Sequence, residues 1–147
     1  MQANIDFHQF AEAVGDGIIV CDAAGAITVW NAASTRIFGF TAEEALGQSL
    51  DLIIPERQRQ RHWDGYHKTM ATGETRYGSD LLRVPALHKE GKPLSIAFTV
   101  AMLYQPDGKV SSIIAIVRDE TTRWNEERGL KTKLAQLEAR LAATPAE

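Results

Sequence analysis

Apolar residues along the chain follow two different spacings, and each change of spacing predicts a change of secondary structure. Helical spacing comes first, at Phe7, Phe10, Ala11 and Val14. It predicts a short amphipathic helix. The next segment, GIIVCDAAGAITVWN, contains two runs rich in isoleucine and valine on either side of a turn that ends at Gly25. This pattern is typical of a β-hairpin, so the chain is expected to pass from a helix into two antiparallel strands.

The segment after the hairpin returns to helical spacing and contains strong helix boundaries. Thr41 and Glu44 have the spacing of a capping box, in which each side chain bonds a backbone amide of the first turn. Pro55 is favoured in a first helical turn, and Gly73 is a common terminator. Three short helices are therefore predicted, and the last and longest of them carries His62.

From Leu81 onward the spacing indicates three strands. Glu90–Gly91 and Pro106–Gly108 supply two hairpin turns. Pro85 cannot donate a ladder hydrogen bond, which predicts an edge strand or a bulge. The strongly apolar face of the middle strand consists of Leu94, Ile96, Phe98, Val100 and Met102. The predicted fold class is α+β, with two strands, three short helices and three strands in that order.

The last segment has the spacing of a coiled-coil seam. Its leucines step by four, three and four residues, at Leu130, Leu134, Leu137 and Leu141. A seam this short is not stable alone, and the polar residues Arg123 and Glu127 occupy the upstream seam positions. We expect a short homodimer contact through this helix. The alternative is a helix that folds back on its own sheet.

Composition narrows the classes of function. The chain has 147 residues, of which 44% are hydrophobic and 24% charged, and this suits one globular domain plus an appendage. A net charge of −3 predicts no general attraction to nucleic acid. The single cysteine, Cys21, cannot form an internal disulfide, and the sequence contains neither a signal-peptide pattern nor an apolar run of membrane-spanning length. A soluble cytoplasmic protein without a membrane partner is expected.

The order of these elements, with the phrases GIIVCDAAGAITVWNAASTRIFGFTAEEALGQSLDLIIP and IAIVRDETTRW, resembles a PAS domain over about residues 7–122. The resemblance implies a five-stranded antiparallel sheet whose concave face, together with short helices, encloses a ligand pocket. It also implies a sensory or partner-binding role in signal transduction, with output through the C-terminal helix to an attached output domain or a partner kinase or cyclase. We therefore predict a lead-in at 1–15, a PAS core at 16–119 and a signalling and dimerisation helix at 120–147.

One phrase departs from the family pattern at the start of the last helix. The family often has Asp, an aliphatic residue and Thr at this place, whereas the chain has Asp119, Glu120 and Thr121. The resemblance implies that this phrase couples the sheet to the helix.

Part of the chain is similar to the haem-binding oxygen sensors of the FixL type within this family. Those sensors carry a histidine on the long helix with an aromatic residue four positions later, and His62 and Tyr66 have this spacing. The similarity implies a haem b whose metal ligand is His62, with Lys68 and Arg76 near the haem propionates. The further residues predicted to line the cofactor are Tyr66, Met70, Leu82, Ile96, Phe98 and Ile114.

Helical geometry and the strand period refine this hypothesis. His62, Tyr66 and Met70 fall within an arc of about 100° on one face of the helix. The oxygen sensors contact bound gas with an arginine from the next strand, but the corresponding residue here is Leu82, and the period of two turns Arg83 to the other face. An apolar distal side would favour neutral gas ligands.

Two alternatives to a haem sensor stay open. In the first, His62 makes an ordinary hydrogen bond at the core boundary while its aromatic neighbours fill the pocket. In the second, the domain is a cofactor-free dimerisation or protein-interaction module whose filled pocket only stabilises the fold.

Other chemistries have less support in the sequence. Flavin-binding light sensors of this fold use a cysteine within an Asn-Cys-Arg phrase on a helix, whereas Cys21 belongs to a predicted strand and is expected to be buried. His62 and His67 lie about 140° apart around the helix and do not form a shared metal site. No nucleophile, base and orienting carboxylate form a recognisable pattern, so the chain is not expected to be an enzyme.

Overall fold

The structure is a computed structural model that describes residues 3–75 and 80–144 of the chain. The helices are α1 (Phe7–Ala13), α2 (Ala32–Phe38), α3 (Ala42–Ala45), α4 (Glu56–Thr72) and α5 (Thr121–Ala143). The strands are β1 (Gly17–Asp22), β2 (Ile27–Trp30), β3 (Leu82–Leu87), β4 (Pro93–Tyr104) and β5 (Val110–Asp119). A 3-10 turn, Leu50–Ile53, precedes α4. The predicted order of elements is confirmed.

The five strands form one antiparallel sheet in the order β2-β1-β5-β4-β3. Residues directly opposite each other share a face of a sheet, so the register assigns each side chain to a face. Ile19, Ala115 and Val100 lie opposite one another across β1, β5 and β4. Ile19 and Ala115 belong to the core beneath the helices, which makes this the inner face. The predicted α+β class with a five-stranded antiparallel sheet is confirmed.

Pro85 lies on β3, which is an edge strand of the sheet. An edge strand was one of the two positions that the sequence predicted for it. Pro85 pairs with Ser95. The backbone N–H of Ser95 donates to Thr121 Oγ1 (3.0 Å) and its carbonyl accepts from the Glu120 N–H (2.8 Å), so both groups of Ser95 point away from β3. Pro85 is therefore in a non-hydrogen-bonded pair, and its missing N–H would point outward from the sheet.

The first half of the sheet is organised around a buried asparagine, Asn31, which is 2% exposed. Its side-chain oxygen accepts from the backbone N–H of Ile18 (2.8 Å) and from both the backbone N–H (3.0 Å) and hydroxyl (2.9 Å) of Ser34. Its amide nitrogen donates to the carbonyls of Ala11 (2.8 Å) and Asp16 (3.0 Å). One side chain thus caps α2 and ties α1 and its linker to β1.

α5 extends away from the sheet, and no residue of Thr121–Ala143 is buried. Its four leucines are 65%, 57%, 55% and 77% exposed, in the order Leu130, Leu134, Leu137 and Leu141. The alternative in which this helix folds back on its own sheet is therefore wrong. Among residues 3–75 and 80–144, no helix combines the length and apolarity that a bilayer crossing requires.

Candidate functional site

α4 is the element that carries the predicted ligand, and it is mostly solvent-facing. Tyr66 is the one buried residue of Glu56–Thr72. The helix ends at Gly73, whose φ of 71° is left-handed, as the terminator prediction required. At its start, Arg59 Nε donates to the carbonyl of Ile54 (3.0 Å). Because so little of α4 is buried, a few specific contacts fix the orientation of the helix about its own axis.

Trp63 provides the most extensive of these contacts. Its indole N–H donates to Asp51 Oδ1 at 2.7 Å. Its ring lies directly over Gly25 in the β1–β2 turn, where a Cβ atom would come within 2.5 Å of the ring. Gly25 also has a φ of 87°, so the position requires glycine for two independent reasons. The sequence predicted the turn glycine but not its contact with the tryptophan.

Tyr66 reaches across the interior to the end of β1. Its hydroxyl donates to the carbonyl of Asp22. Burial, followed by the nearby Cys21 and Asp22, raises the pKa of Tyr66 well above its usual value. The phenol therefore stays protonated and bonded to the backbone, and only its ring is available to a guest molecule.

His62 lies between these aromatic groups. The centroid of its ring is 4.6 Å from that of Trp63 and 6.0 Å from that of Tyr66. His62 Nδ1 is the one buried side-chain nitrogen or oxygen within residues 3–75 and 80–144 that has no hydrogen-bond partner. Burial lowers the pKa of His62, against the opposing charge of Asp51. The imidazole is thus neutral near pH 7, with a nitrogen that no protein group satisfies.

The inner face of the central strands is only partly covered by the helices. Ile96 and Val117 are 4% and 2% exposed. The inner-face residues farther along β4 and β5 are only half-buried, namely Phe98, Val100, Met102, Ile113 and Ala115. The hydrophobic cluster that contains Tyr66, Trp63 and Met70 continues onto this face. An apolar surface that is not fully packed therefore lies within the same cluster as the aromatic residues beside His62.

The structure brings several of the predicted lining residues to one place. Leu82 lies directly opposite Phe98, and Ile96 shares their face of the sheet. Met70 is half-buried in the same cluster as Tyr66. Arg83 lies opposite Ala97 on the other face, as its position after Leu82 predicted.

Three predicted residues do not join this group. Ile114 lies opposite Val20 and Ala101, on the outer face of the sheet, so the prediction that it lines the cofactor is wrong. Lys68 is exposed on α4. Arg76 lies outside the described residues.

Two open surface depressions flank α4, one between its start and β3 and the other between its end and the β4–β5 hairpin, and His62 lines neither of these two. Within residues 3–75 and 80–144, no cluster of three or more His, Cys, Asp or Glu residues is arranged to hold a bare metal ion.

Cys21 is placed as the sequence predicted for a small hydrophobic residue. It is 3% exposed within the core. Burial, with a contribution from Asp22, raises the pKa of its thiol to about 11. It is therefore unreactive near pH 7.

Comparisons with known proteins agree with this architecture. A family model described as PAS fold matches residues 5–119. The PAS domain of a protein from Colwellia psychrerythraea superposes with a TM-score of 0.68 at 23% identity, covering 78% of this chain and 93% of that one. At this identity the superposition shows the fold alone.

Two curated relatives are longer proteins. An uncharacterized protein of Azorhizobium caulinodans is 35% identical over 117 residues, which are 79% of this chain and 16% of the relative. The sensor protein FixL of Bradyrhizobium diazoefficiens is 40% identical over 53 residues, which are 36% of this chain and 10% of the relative. The chain therefore spans about a sixth or less of the length of these relatives.

Proposed function

The chain belongs to the PAS fold family, and from this premise we propose that it binds haem b through His62 and transmits the state of that site through α5. Domains of this family are generally sensory parts of signalling proteins and are not catalytic. The local similarity to the sensor protein FixL is the reason for considering haem among the ligands of such domains.

The single observation that carries the haem proposal is the unpartnered Nδ1 of His62. A buried polar atom without a partner costs about 1–3 kcal/mol, and the depressed pKa keeps the ring in the neutral form that metals bind. A ligand that engages the imidazole removes the penalty.

The remaining residues suit an apolar prosthetic group. Haem iron, when bound, supplies a coordination position for a diatomic gas. The half-covered inner face of β4 and β5 would take the macrocycle, and Lys68 and Arg76 are proposed to neutralise its propionates. Leu82 and Phe98 would exclude water from the gas side and offer no hydrogen-bond donor, which favours neutral gas ligands over a charge-stabilised oxygen complex.

α5 is proposed as the output element. Its exposed leucines form one stripe on a helix with no intramolecular cover, and a second copy of the chain would bury them as a short parallel coiled coil. Because the curated relatives are much longer, we propose that the helix acts on an output domain or a partner kinase or cyclase.

The test is reconstitution with hemin followed by absorption spectroscopy. The wild-type chain should give a strong Soret band, and His62→Ala should lose or shift it. His67→Ala is the matched control, since His67 is exposed on the same helix and should leave the band unchanged. A wild-type chain that stays colourless with saturating hemin would exclude the haem proposal.

A second candidate is a cofactor-free PAS dimerisation module, favoured by the absence of His62 from the lining of the depressions around α4. It predicts that the chain dimerises without any chromophore and that His62→Leu does not change dimerisation. Leu134→Glu should give a monomer under either candidate and therefore tests the dimer contact itself, while the absorption spectrum distinguishes the two candidates.

A further inference from the structure

The two terminal helices meet the sheet at the same end. Gly17, the first residue of β1, lies opposite Val117, near the end of β5. α1 therefore enters, and α5 leaves, from adjacent central strands. Asp16 and Arg118, the residues just beyond this pair, are joined by two hydrogen bonds, from Arg118 Nε to Asp16 Oδ1 and from a terminal guanidinium nitrogen to Asp16 Oδ2, both 3.1 Å long.

This pair begins a row of alternating charges that continues into α5. The Glu120 carboxylate adds to the attraction of Asp16 in raising the pKa of Arg118. Glu120 Oε2 lies 3.7 Å from a guanidinium nitrogen of Arg123, and Arg123 Nε donates to Glu127 Oε1 at 3.2 Å. The row therefore has two parts. The Asp16–Arg118 pair joins the α1–β1 linker to the end of β5, and the contacts of Arg123 with Glu120 and Glu127 begin two residues later and reach the second turn of α5.

Glu120 holds the central place in this row. Its side chain is only 14% exposed, although it is charged. It occupies the position where the family pattern has an aliphatic residue. Its backbone N–H donates to the Ser95 carbonyl (2.8 Å), and the N–H of the next residue, Thr121, donates to Asp119 Oδ1 (2.9 Å). The backbone of Glu120 is thus fixed where the sheet and α5 join.

We infer that these charges give the domain a second input, in which a displacement of α1 changes the orientation of α5 without involving the site at His62. The five residues that form the path, named here the charge row, are Asp16, Arg118, Glu120, Arg123 and Glu127. Asp16 is the positioning residue at the input end, and Glu120 makes its ionic contact with Arg123 at the output end.

The anchoring of α1 explains why its movement would reach Asp16. Asn31 donates from one amide group to the carbonyls of both Ala11, in α1, and Asp16. A shift of α1 therefore competes with the bond that positions Asp16. α1 carries an exposed apolar side, with Phe7 and Phe10 81% and 53% exposed, on which a force from a neighbouring segment or molecule could act.

The weak burial of α5 explains why ionic contacts suffice to orient it. Exposed ion pairs usually add little stability, but a two-point arginine–carboxylate pair fixes geometry. No residue of Thr121–Ala143 is buried, so little apolar packing against the described residues opposes a change in the orientation of α5. Small differences in the interaction free energy of these ion pairs can then shift the population of α5 orientations.

Fluorine NMR of the full chain labelled with fluorotryptophan tests this inference without haem. The chain has three tryptophans. Trp124 is in the first turn of α5, 47% exposed and with Arg128 stacked 5.2 Å from its ring centroid, while Trp30 and Trp63 report on the core. Arg118→Gln removes a side chain that is 68% exposed, so the fold should be retained. The Trp124 signal should move, and the other two should not.

A double variant provides the decisive comparison. Asp16→Asn should displace the Trp124 signal in the same direction as Arg118→Gln, and the double variant Asp16→Asn with Arg118→Gln should displace it no farther than Arg118→Gln alone, because both changes break the same ion pair. Glu90→Gln is the matched control, because it breaks an exposed ion pair with Lys92 (3.0 Å) that includes no residue of the charge row, and it should have no effect.

The same measurements in a His62→Leu background separate this input from the ligand site. The displacement of the Trp124 signal should be the same in the His62→Leu background as in the wild-type background. An unmoved Trp124 signal in both single variants, a double variant whose displacement is the sum of the two single displacements, or a displacement that disappears with His62→Leu would each overturn the inference. None of these outcomes depends on whether the chain binds haem.

Discussion

The two halves of the sheet are stabilised in opposite ways. In the Asn31 region, formed by β1, β2 and α2, the central polar side chain is 2% exposed and makes five hydrogen bonds. In the α4 region, formed by α4 with the inner face of β4 and β5, a helix with one buried residue covers a half-exposed apolar surface. That region also holds the buried nitrogen without a partner.

This difference separates the part that specifies the fold from the part that can change. A fully bonded buried network defines one arrangement and resists local opening. A sparsely packed helix opens at lower cost, and an unsatisfied polar atom next to apolar surface is the composition of a ligand site. The α4 region can therefore admit a guest while the Asn31 region holds the sheet together.

The largest effect is expected from Asn31→Ala. The change leaves buried backbone groups at Ile18, Ser34 and Ala11 without partners, and we expect a loss of about 3 kcal/mol in the free energy of unfolding. Urea titration followed by circular dichroism measures it. Gln60→Ala is the control, since Gln60 bonds Asp64 at the surface of α4 (3.0 Å), and it should cost less than about 0.5 kcal/mol. Equal losses of unfolding free energy in Asn31→Ala and Gln60→Ala would contradict the distinction between the Asn31 region and the α4 region.

A smaller loss is expected where the two regions touch, at Gly25. Gly25→Ala combines the strain of a positive φ with a clash against the Trp63 ring, and we expect about 2–3 kcal/mol. Gly47→Ala is a matched control because its φ is 82° and nothing lies within 4 Å of the added carbon. It should cost about 1 kcal/mol. If both variants melt at the same temperature, the Trp63 contact does not position α4.

The effect of His62→Leu on the free energy of unfolding should have the opposite sign from that of Asn31→Ala. It replaces an unpartnered buried nitrogen with an apolar group of similar size, so the ligand-free chain should keep its stability or gain up to about 1 kcal/mol. Thermal unfolding of the two ligand-free proteins checks this. A loss as large as that of Asn31→Ala would show that His62 is a structural residue.

The smallest effect concerns pH. The folded-state pKa of His62 lies below its ordinary value of 6.5 because of burial, so the unfolded chain takes up the proton first. Stability should therefore fall as the pH drops from 6.5 toward the folded-state pKa, with Asp51 opposing and His67 adding to the shift. His62→Leu should flatten this part of the melting-temperature profile. If the melting temperature of the wild-type and His62→Leu proteins depends on pH in the same way, His62 is not buried as described.

Local sequence features predicted most of the fold because they act over a few residues. The capping box at Thr41 forms as expected, with both reciprocal hydrogen bonds present. Gly39 and Gly73 end their helices with left-handed backbone angles. The alternation of β4 placed Ile96 and Phe98 on the inner face correctly, because polar or small residues separate them.

The site was predicted less completely, and Ile114 shows why. The β5 segment SSIIAIV is apolar at consecutive positions, so its pattern does not state which residues face inward. Pairing with β1 and β4 decides this and places Ile113 and Ala115 inside. The contact of Trp63 with Gly25 was missed for a related reason, since it joins residues distant in sequence.

The sequence by itself determined the elements, their order and the helical face on which His62 lies, because these follow from backbone preferences and periodicity within one segment. Only the tertiary structure decided that Nδ1 of His62 has no partner among the described residues, that Glu120 is 14% exposed beside Arg123, and that Arg118 reaches Asp16. Each of these depends on how separate segments dock, and docking is set by burial and register summed over the whole sheet.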